Sequence, residues 1–231
     1  MHKAFKPKSS IQDMDNFIVI PAYNEEKNIA ETLSQVKKYA SSIIVVNDGS
    51  SDSTQIILDK MSGIIILTHI VNLGKGTALK TGCEYAIKRG AKKIVVMDSD
   101  GQHDPQHIPQ FLAELEQKEI VFGCRQRSTE MPFVLRFGNW FLNKWTEILF
   151  GITVSDTQSG YRAFTAEAYS KIKWDSQGYS VESEMIARAG KEKLKYKEIP
   201  IKTIYQDKYK GTTILDGMKI ALSMLNWKIR I

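Results

Sequence analysis

IVVMDSDGQHDP, residues 94–105, joins a short, continuously apolar, β-branched run to a loop of acids, glycine and amide. An apolar run without alternation marks a strand covered on both faces, as in a mostly parallel sheet held between helices. The same join recurs upstream, where FIVI (17–20) runs into PAYNEE (21–26), IIVV (43–46) into NDGSSD (47–52), and IIIL (64–67) towards NLGKG (72–76). Helical segments fill the gaps. Ile29, Leu33, Val36 and Ala40 fall on one helical face, Ser51 and Asp52 offer caps for a second helix, and a third runs from about Lys75 to Arg89 and stops at Gly90. The pattern predicts an α/β, Rossmann-like, doubly wound half. Ligands of such sheets bind beyond the carboxyl ends of the strands, so these four polar loops are where a site is expected.

After residue 119 the rhythm loosens into IVFGCRQR, an aromatic amphipathic stretch over 131–152, SDTQSGYR, a helical segment near 179–189 and a strand-like IPIKTIY. No linker or repeat interrupts it, so residues 16–231 are expected to form one domain with halves 16–119 and 120–231. Residues 1–15 are expected to be a flexible tail. That tail is basic but is followed by no apolar core of the kind a signal peptide carries. No apolar run approaches the ~20 residues of a spanning helix.

The net charge of +6 suits acidic partners. The lysines are scattered, without the interleaved aromatics of a nucleic-acid groove, so no nucleic acid is expected. Cys83 and Cys124 stand in no metal-ligand spacing and are expected to be reduced, which favours the cytosolic side.

Asp98 and Asp100, one residue apart where a strand turns into a loop, can present oxygens to a hard divalent ion, Mg²⁺ or Mn²⁺. An acid-rich turn that caps a helix explains the same residues. LGKG at 73–76 lacks the spacing of a phosphate-binding P-loop.

Taken in order, PAYNEE (21–26), VNDGSSDST (46–54), NLGKG (72–76), MDSDGQHDP (97–105), GCRQR (123–127) and DTQSGYR (156–162) resemble the family-2 glycosyltransferases. Within them they resemble the polyprenyl-phosphate sugar transferases, over about residues 16 to 210. The resemblance implies a GT-A fold whose first half binds a nucleotide-sugar and whose second half faces the acceptor. It implies a nucleotide site at Pro21, Tyr23 and Glu25, with Val46 and Asp48 at the base and Lys75 on the nucleotide side. Asp98, Asp100 and Gln102 match metal and diphosphate positions, and Ser99 lies against the ribose-phosphate. Asp100, Arg125 and Asp156 form the implied catalytic set. Arg136 is expected near the acceptor phosphate, where a planar guanidinium can bind phosphate oxygens in pairs. Ser159 and Arg162 either support the site or contact the ligand, and Glu182 and Glu184 fall on the sugar side.

The implied activity is inverting transfer of a hexose from a GDP- or UDP-sugar to a polyprenyl phosphate. Lys208 and Ile214 stand where mannose synthases of the family carry arginine and lysine, which weakens the case for GDP-mannose. A saccharide hydroxyl acceptor, with Asp156, Glu182 or Glu184 as base, and a non-catalytic nucleotide-sugar-binding module are the alternatives. Within 131–152, Phe133, Phe137, Trp140, Phe141, Trp145 and Phe150 accompany Arg136 and Lys144. This composition fits either a helix lying at the cytoplasmic face of a membrane or a buried core helix.

Overall fold

The computed structural model describes residues 15–125, 133–202 and 214–230. The expected tail up to residue 14 and the position of Lys208 lie outside them, as do the side chains of Phe133, Arg136, Phe137 and Ile214. Seven described strands form one sheet: β1 (Asn16–Ala22), β2 (Ile43–Asn47), β3 (Ile65–Thr68), β4 (Lys93–Val96), β5 (Ile120–Arg125), β6 (Arg162–Thr165) and β7 (Tyr196–Ile201). Their order is β3-β2-β1-β4-β6-β5-β7. Only β6 runs antiparallel to its neighbours β4 and β5, so the sheet is mostly parallel. Because β6 lies between β4 and β5, the sheet is continuous across residue 119.

The unbroken apolar runs follow from helices on both faces. Phe17 and Val19 of β1 enter one core with Ile44, Val46, Ile94 and Val96. Ile18 and Ile20 enter the other with Ile43, Val45, Val95 and Met97. A strand's period of two therefore sends every residue into apolar surroundings. The first core is closed by α3 (Lys75–Lys88), α5 (Phe133–Phe150), α6 (Ala166–Ile172), α7 (Val181–Lys191) and α8 (Ile214–Arg230), and the second by α1 (Ile29–Val36), α2 (Thr54–Asp59) and α4 (Ile108–Glu114).

Three expectations need correction. β3 is an edge strand and only half-buried, because among the described residues nothing pairs with its outer side. α1 ends at Val36, and Ala40 follows in a turn whose N–H donates to the Val36 carbonyl at 3.1 Å. The α2 helix begins at Thr54, one turn residue later than the expected caps, though Asp52 Oδ1 does accept from the Thr54 N–H at 2.9 Å. α3 and its stop agree with the sequence: Gly90 has φ +90°, a left-handed conformation that glycine adopts without a Cβ penalty.

Candidate active site

The carboxyl ends of β1, β2, β4 and β5 open onto a cleft of about 720 Å³, within the ~300–1,000 Å³ of small-molecule sites. Pro21, Asp48, Lys75, Asp98, Arg125 and Glu182 reach it from six separate segments.

The first two motif loops are locked together. Asn24, at φ +54°, accepts from the Ser51 N–H at 2.8 Å and donates its own N–H to Ser50 Oγ at 3.0 Å. Glu26 and Asp52 exchange bonds with each other's loop, Ser53 N–H to Glu26 Oε2 at 3.0 Å and Glu26 N–H to Asp52 Oδ2 at 3.1 Å. The cap of α1 is Asn28, so Asn24 serves the turn and not the helix. Tyr23 and Glu25 are left on the cleft side, with Tyr23 about half exposed.

Asp48 is buried and lines the cleft, and its carboxylate is already engaged. Oδ1 accepts from His69 Nδ1 at 2.7 Å and the Leu73 N–H at 2.9 Å, and Oδ2 from the Gly74 N–H at 2.8 Å. It thus organises the loop leading into α3, and Oδ2 keeps acceptor capacity for a ligand. Val46, expected at the base, does not line the cleft. Its side chain points into the core beneath α3, 3.0 Å from where a Cβ on Gly82 would stand.

At the centre, Lys75 Nζ bridges Asp98 Oδ1 at 2.5 Å and Glu182 Oε1 at 2.6 Å. Burial alone would lower the pKa of this ammonium, but the two carboxylates outweigh it and raise it. Burial would raise the pKa of Asp98, yet the charge of Lys75 holds its carboxyl below the ordinary range. Asp100 goes the other way, raised by burial and by the charge of Asp98. His103, buried, accepts from the Asp98 N–H through Nδ1 at 3.2 Å, so its proton sits on Nε2, and burial lowers its pKa. Gly160 crosses directly above this centre. A Cβ there would lie 2.6 Å from Asp98 Oδ2 and 2.9 Å from Lys75 Nζ, so any larger residue must push the carboxylate or the ammonium aside.

Two of the donors at the start of α3 are already taken. The N–H groups of Gly76 and Thr77 both donate to the Gln177 carbonyl, at 2.6 and 3.3 Å, and Trp174 Nε1 donates to the Gly76 carbonyl at 2.8 Å. A helix amino end free of such a plug would itself attract an anion. A diphosphate would be met there chiefly by side chains or a bound cation. Asp98 and Asp100 fit a hard divalent ion, since they are two carboxylates close enough for one to raise the pKa of the other. Among the described residues no group of three or more His, Cys, Asp or Glu is arranged to cage a metal, so further oxygens would come from diphosphate, water or Gln102.

Arg125 faces Asp156 as a planar pair, with Nε to Oδ2 at 2.7 Å and Nη2 to Oδ1 at 3.0 Å, and its N–H also reaches Oδ2 at 3.2 Å. Burial would raise the Asp156 carboxyl, but the Arg125 bonds and charge hold it below the ordinary range. Ser99 and Ser159 line the cleft. Arg162 does not. It is fully buried, donating to the carbonyls of Ser159 at 2.9 Å, Thr157 at 3.1 Å and Glu182, and burial lowers its pKa to about 10. It braces the backbone of the DTQSGYR segment, and a sugar or acceptor contact is corrected to that role. Glu184 is also turned inward, accepting from the Asp175 N–H at 3.0 Å, the Ser176 N–H at 2.8 Å and Arg188 Nε at 2.8 Å.

Sequence reasoning passed over His103, Asn139, Gln158 and Tyr179, all of which line the cleft. His103 and Gln158 stand inside quoted motif strings, which was a usable signal. Asn139 on α5 and Tyr179 ahead of α7 stand in none.

A mostly parallel sheet with its cleft at the carboxyl edge, and an acid pair set beside lysine and arginine, define a glycosyltransferase of the GT-A fold. Glucosyl-3-phosphoglycerate synthase of Mycobacterium tuberculosis, crystallised with Mn²⁺, UDP and phosphoglyceric acid, matches with a TM-score of 0.69 at 17% identity, over 98% of this chain and 85% of that one. The chain belongs to glycosyl transferase family 2, whose model matches residues 17–173. It is 33% identical to a UDP-N-acetylglucosamine–dolichyl-phosphate N-acetylglucosaminyltransferase of Methanococcus voltae, over 92% of this chain and 96% of the relative. An uncharacterized protein of Methanocaldococcus jannaschii is 41% identical over 97% of this chain and 98% of its own length.

Proposed function

We propose that residues 16–231 form one inverting glycosyltransferase domain that moves a hexose from a nucleoside-diphosphate sugar to a dolichyl or undecaprenyl phosphate at the cytoplasmic face of a membrane. One observation carries the choice of acceptor. Asp156, one of the three carboxylates weighed as a base, is committed to Arg125, whose bonds and charge lower its pKa and make it a weak proton acceptor. A saccharide hydroxyl needs a base, whereas a phosphate monoester is already an anionic nucleophile near neutral pH.

The acceptor oxygen attacks the anomeric carbon, the bond from that carbon to the diphosphate oxygen breaks on the opposite side, and the nucleoside diphosphate leaves with the electron pair. Positioning and charge neutralisation are what this chemistry requires. Arg125, oriented by Asp156, is placed to hold phosphate oxygens. Asp98 and Asp100, with Gln102 beside them, would hold Mg²⁺ or Mn²⁺, which supplies Lewis-acid neutralisation of the leaving group when bound. Pro21, Tyr23, Glu25 and Asp48 line the nucleotide side, and Glu182 faces the sugar hydroxyls. The donor is either UDP- or GDP-linked. The relative from Methanococcus voltae supports a UDP-sugar, and the lysine at position 208 weakens the case for GDP-mannose.

The membrane contact is assigned to the outer face of α5. Trp140, Phe141, Ile148 and Lys144 are exposed there, and α8, packed against α5, exposes Leu222, Leu225 and Ile229. Trp145 packs inward and is removed from this surface. Among the described residues no helix is long and apolar enough to cross a membrane.

A second reading, transfer to a saccharide hydroxyl, has one observation in its favour. Glu182 Oε2 is buried in the cleft wall without a hydrogen-bond partner. Incubation with radiolabelled UDP-N-acetylglucosamine, UDP-glucose and GDP-mannose separates the two. Label extracted into organic solvent with polyprenyl phosphate supports the proposal, and label transferred only to free saccharides refutes it.

A further inference from the structure

We propose that Lys75 is the resident counter-cation of the acid centre, and that it makes divalent metal enter together with the nucleoside diphosphate and not ahead of it. This rests on the assignment of Asp98 as a metal ligand. Asp98, Asp100 and Glu182 all face the cleft, and the Lys75 ammonium lies between two of them, at 2.5 Å from Asp98 and 2.6 Å from Glu182. Arg125 pairs directly with Asp156 and adds only a smaller charge effect at Asp98 than Lys75 does.

The ammonium is not free to drift away. Lys75 is the first residue of α3, whose amino end is clamped by the Gln177 carbonyl, and the Gly160 backbone closes over Nζ. A bare divalent ion approaching Asp98 therefore meets an oxygen already held by a cation, in a site where water screens poorly. A diphosphate changes the balance by bringing negative charge and new acceptors for the ammonium. Glu182 offers the alternative landing place, because its buried Oε2 has no partner and can take an ammonium N–H that Asp98 releases. Metal and diphosphate then favour each other's binding, and such coupling is reciprocal.

The test is direct Mn²⁺ binding, followed by the loss of the free-ion paramagnetic resonance signal, with and without UDP and GDP. The wild-type chain should bind Mn²⁺ about ten-fold or more tighter with one of the diphosphates present, a typical scale for coupled sites. Lys75→Met should bind Mn²⁺ alone about ten-fold tighter than wild type and lose most of the coupling. Glu182→Gln, which removes the competing negative charge and leaves Asp98 as the ammonium's one ion-pair partner of the two, should bind bare Mn²⁺ more weakly. Lys75→Met that stays folded and binds bare Mn²⁺ no tighter than wild type overturns the proposal. If that variant does not fold, Glu182→Gln decides, and unchanged or tighter bare-metal binding overturns it. Absence of Mn²⁺ binding by wild type under every condition removes the metal assignment itself, and this inference with it. Wild-type binding without coupling removes the inference alone.

Discussion

Gly160→Ala perturbs the centre with a single methyl group. The new Cβ would stand 2.6 Å from Asp98 Oδ2, 2.8 Å from Oδ1 and 2.9 Å from Lys75 Nζ, where ordinary contact begins at 3.4 Å. The carboxylate must retreat by about 0.8 Å, the difference between 3.4 and 2.6 Å. It cannot do so by rotating freely, because Lys75 ties it to Glu182 on the far side. Displacement of a reacting group by ~1 Å costs on the order of 10²-fold in rate, so kcat/KM should fall by roughly 10–100-fold, or about 1.4–2.7 kcal/mol of transition-state stabilisation. The cost to folding is smaller. An overpacking penalty of ~1 kcal/mol lowers the melting temperature of a domain this size by ~2–4 °C. Initial rates, Mn²⁺ affinity in the presence of UDP, and a thermal melt would be measured on the same preparation. A folded variant with wild-type rate and wild-type Mn²⁺ affinity would refute the packing of Gly160 against Asp98 as a condition of function.

Asp100→Ala should abolish metal-dependent diphosphate binding and transfer while shifting the melting temperature little, since it removes a loop carboxylate and no core volume; full turnover by the folded variant without metal would sink the assignment. Asp156→Asn should cost roughly 1–3 kcal/mol of stability at neutral pH by unpairing Arg125, and should lower kcat more than nucleotide affinity. The Asp156 carboxyl is depressed in the fold, so its stabilisation is present above the unfolded value of ~3.9 and is lost as pH falls through the folded value; the stability gap between wild type and variant, read by urea unfolding, should close below about pH 4. Replacing exposed Trp140 and Phe141 together by Ser should weaken co-sedimentation with anionic liposomes and leave donor binding intact, whereas Trp145→Ser should melt early; unchanged liposome binding by the first variant removes α5 as the contact.

The central strands were legible because both their faces are covered, which writes FIVI, IIVV and IVVM as unbroken apolar runs. IIIL has the same composition, yet β3 lies at the sheet edge and is half-buried. Composition reports apolar company but not how many neighbours a strand has. The insertion of β6 between β4 and β5 was not legible either, since that pairing is non-local and four residues long. The site shows a similar division. Asp98, Asp100 and Arg125 could be placed because they stand at strand ends, where direction into the cleft follows from the fold. Arg162 and Glu184 share strings with cleft residues but point inward, and nothing in an irregular loop's sequence gives a side chain's direction. Val46 fails for a related reason, as its place in β2 alternates into the core. The junction of Lys75, Asp98 and Glu182 joins three distant segments, so no string could announce it.

The most direct measurement is the structure of the product. Purified protein would be supplied with a UDP-hexose or GDP-hexose whose anomeric carbon is isotope-labelled, Mn²⁺, and a short polyprenyl phosphate, and the lipid product examined by carbon and phosphorus magnetic resonance. The expected result is a sugar joined through its anomeric carbon to the lipid phosphate, coupled to a single phosphorus and inverted relative to the donor. A product with retained configuration, or label found only in free sugar or on a saccharide hydroxyl, would contradict transfer to a lipid phosphate by inverting attack.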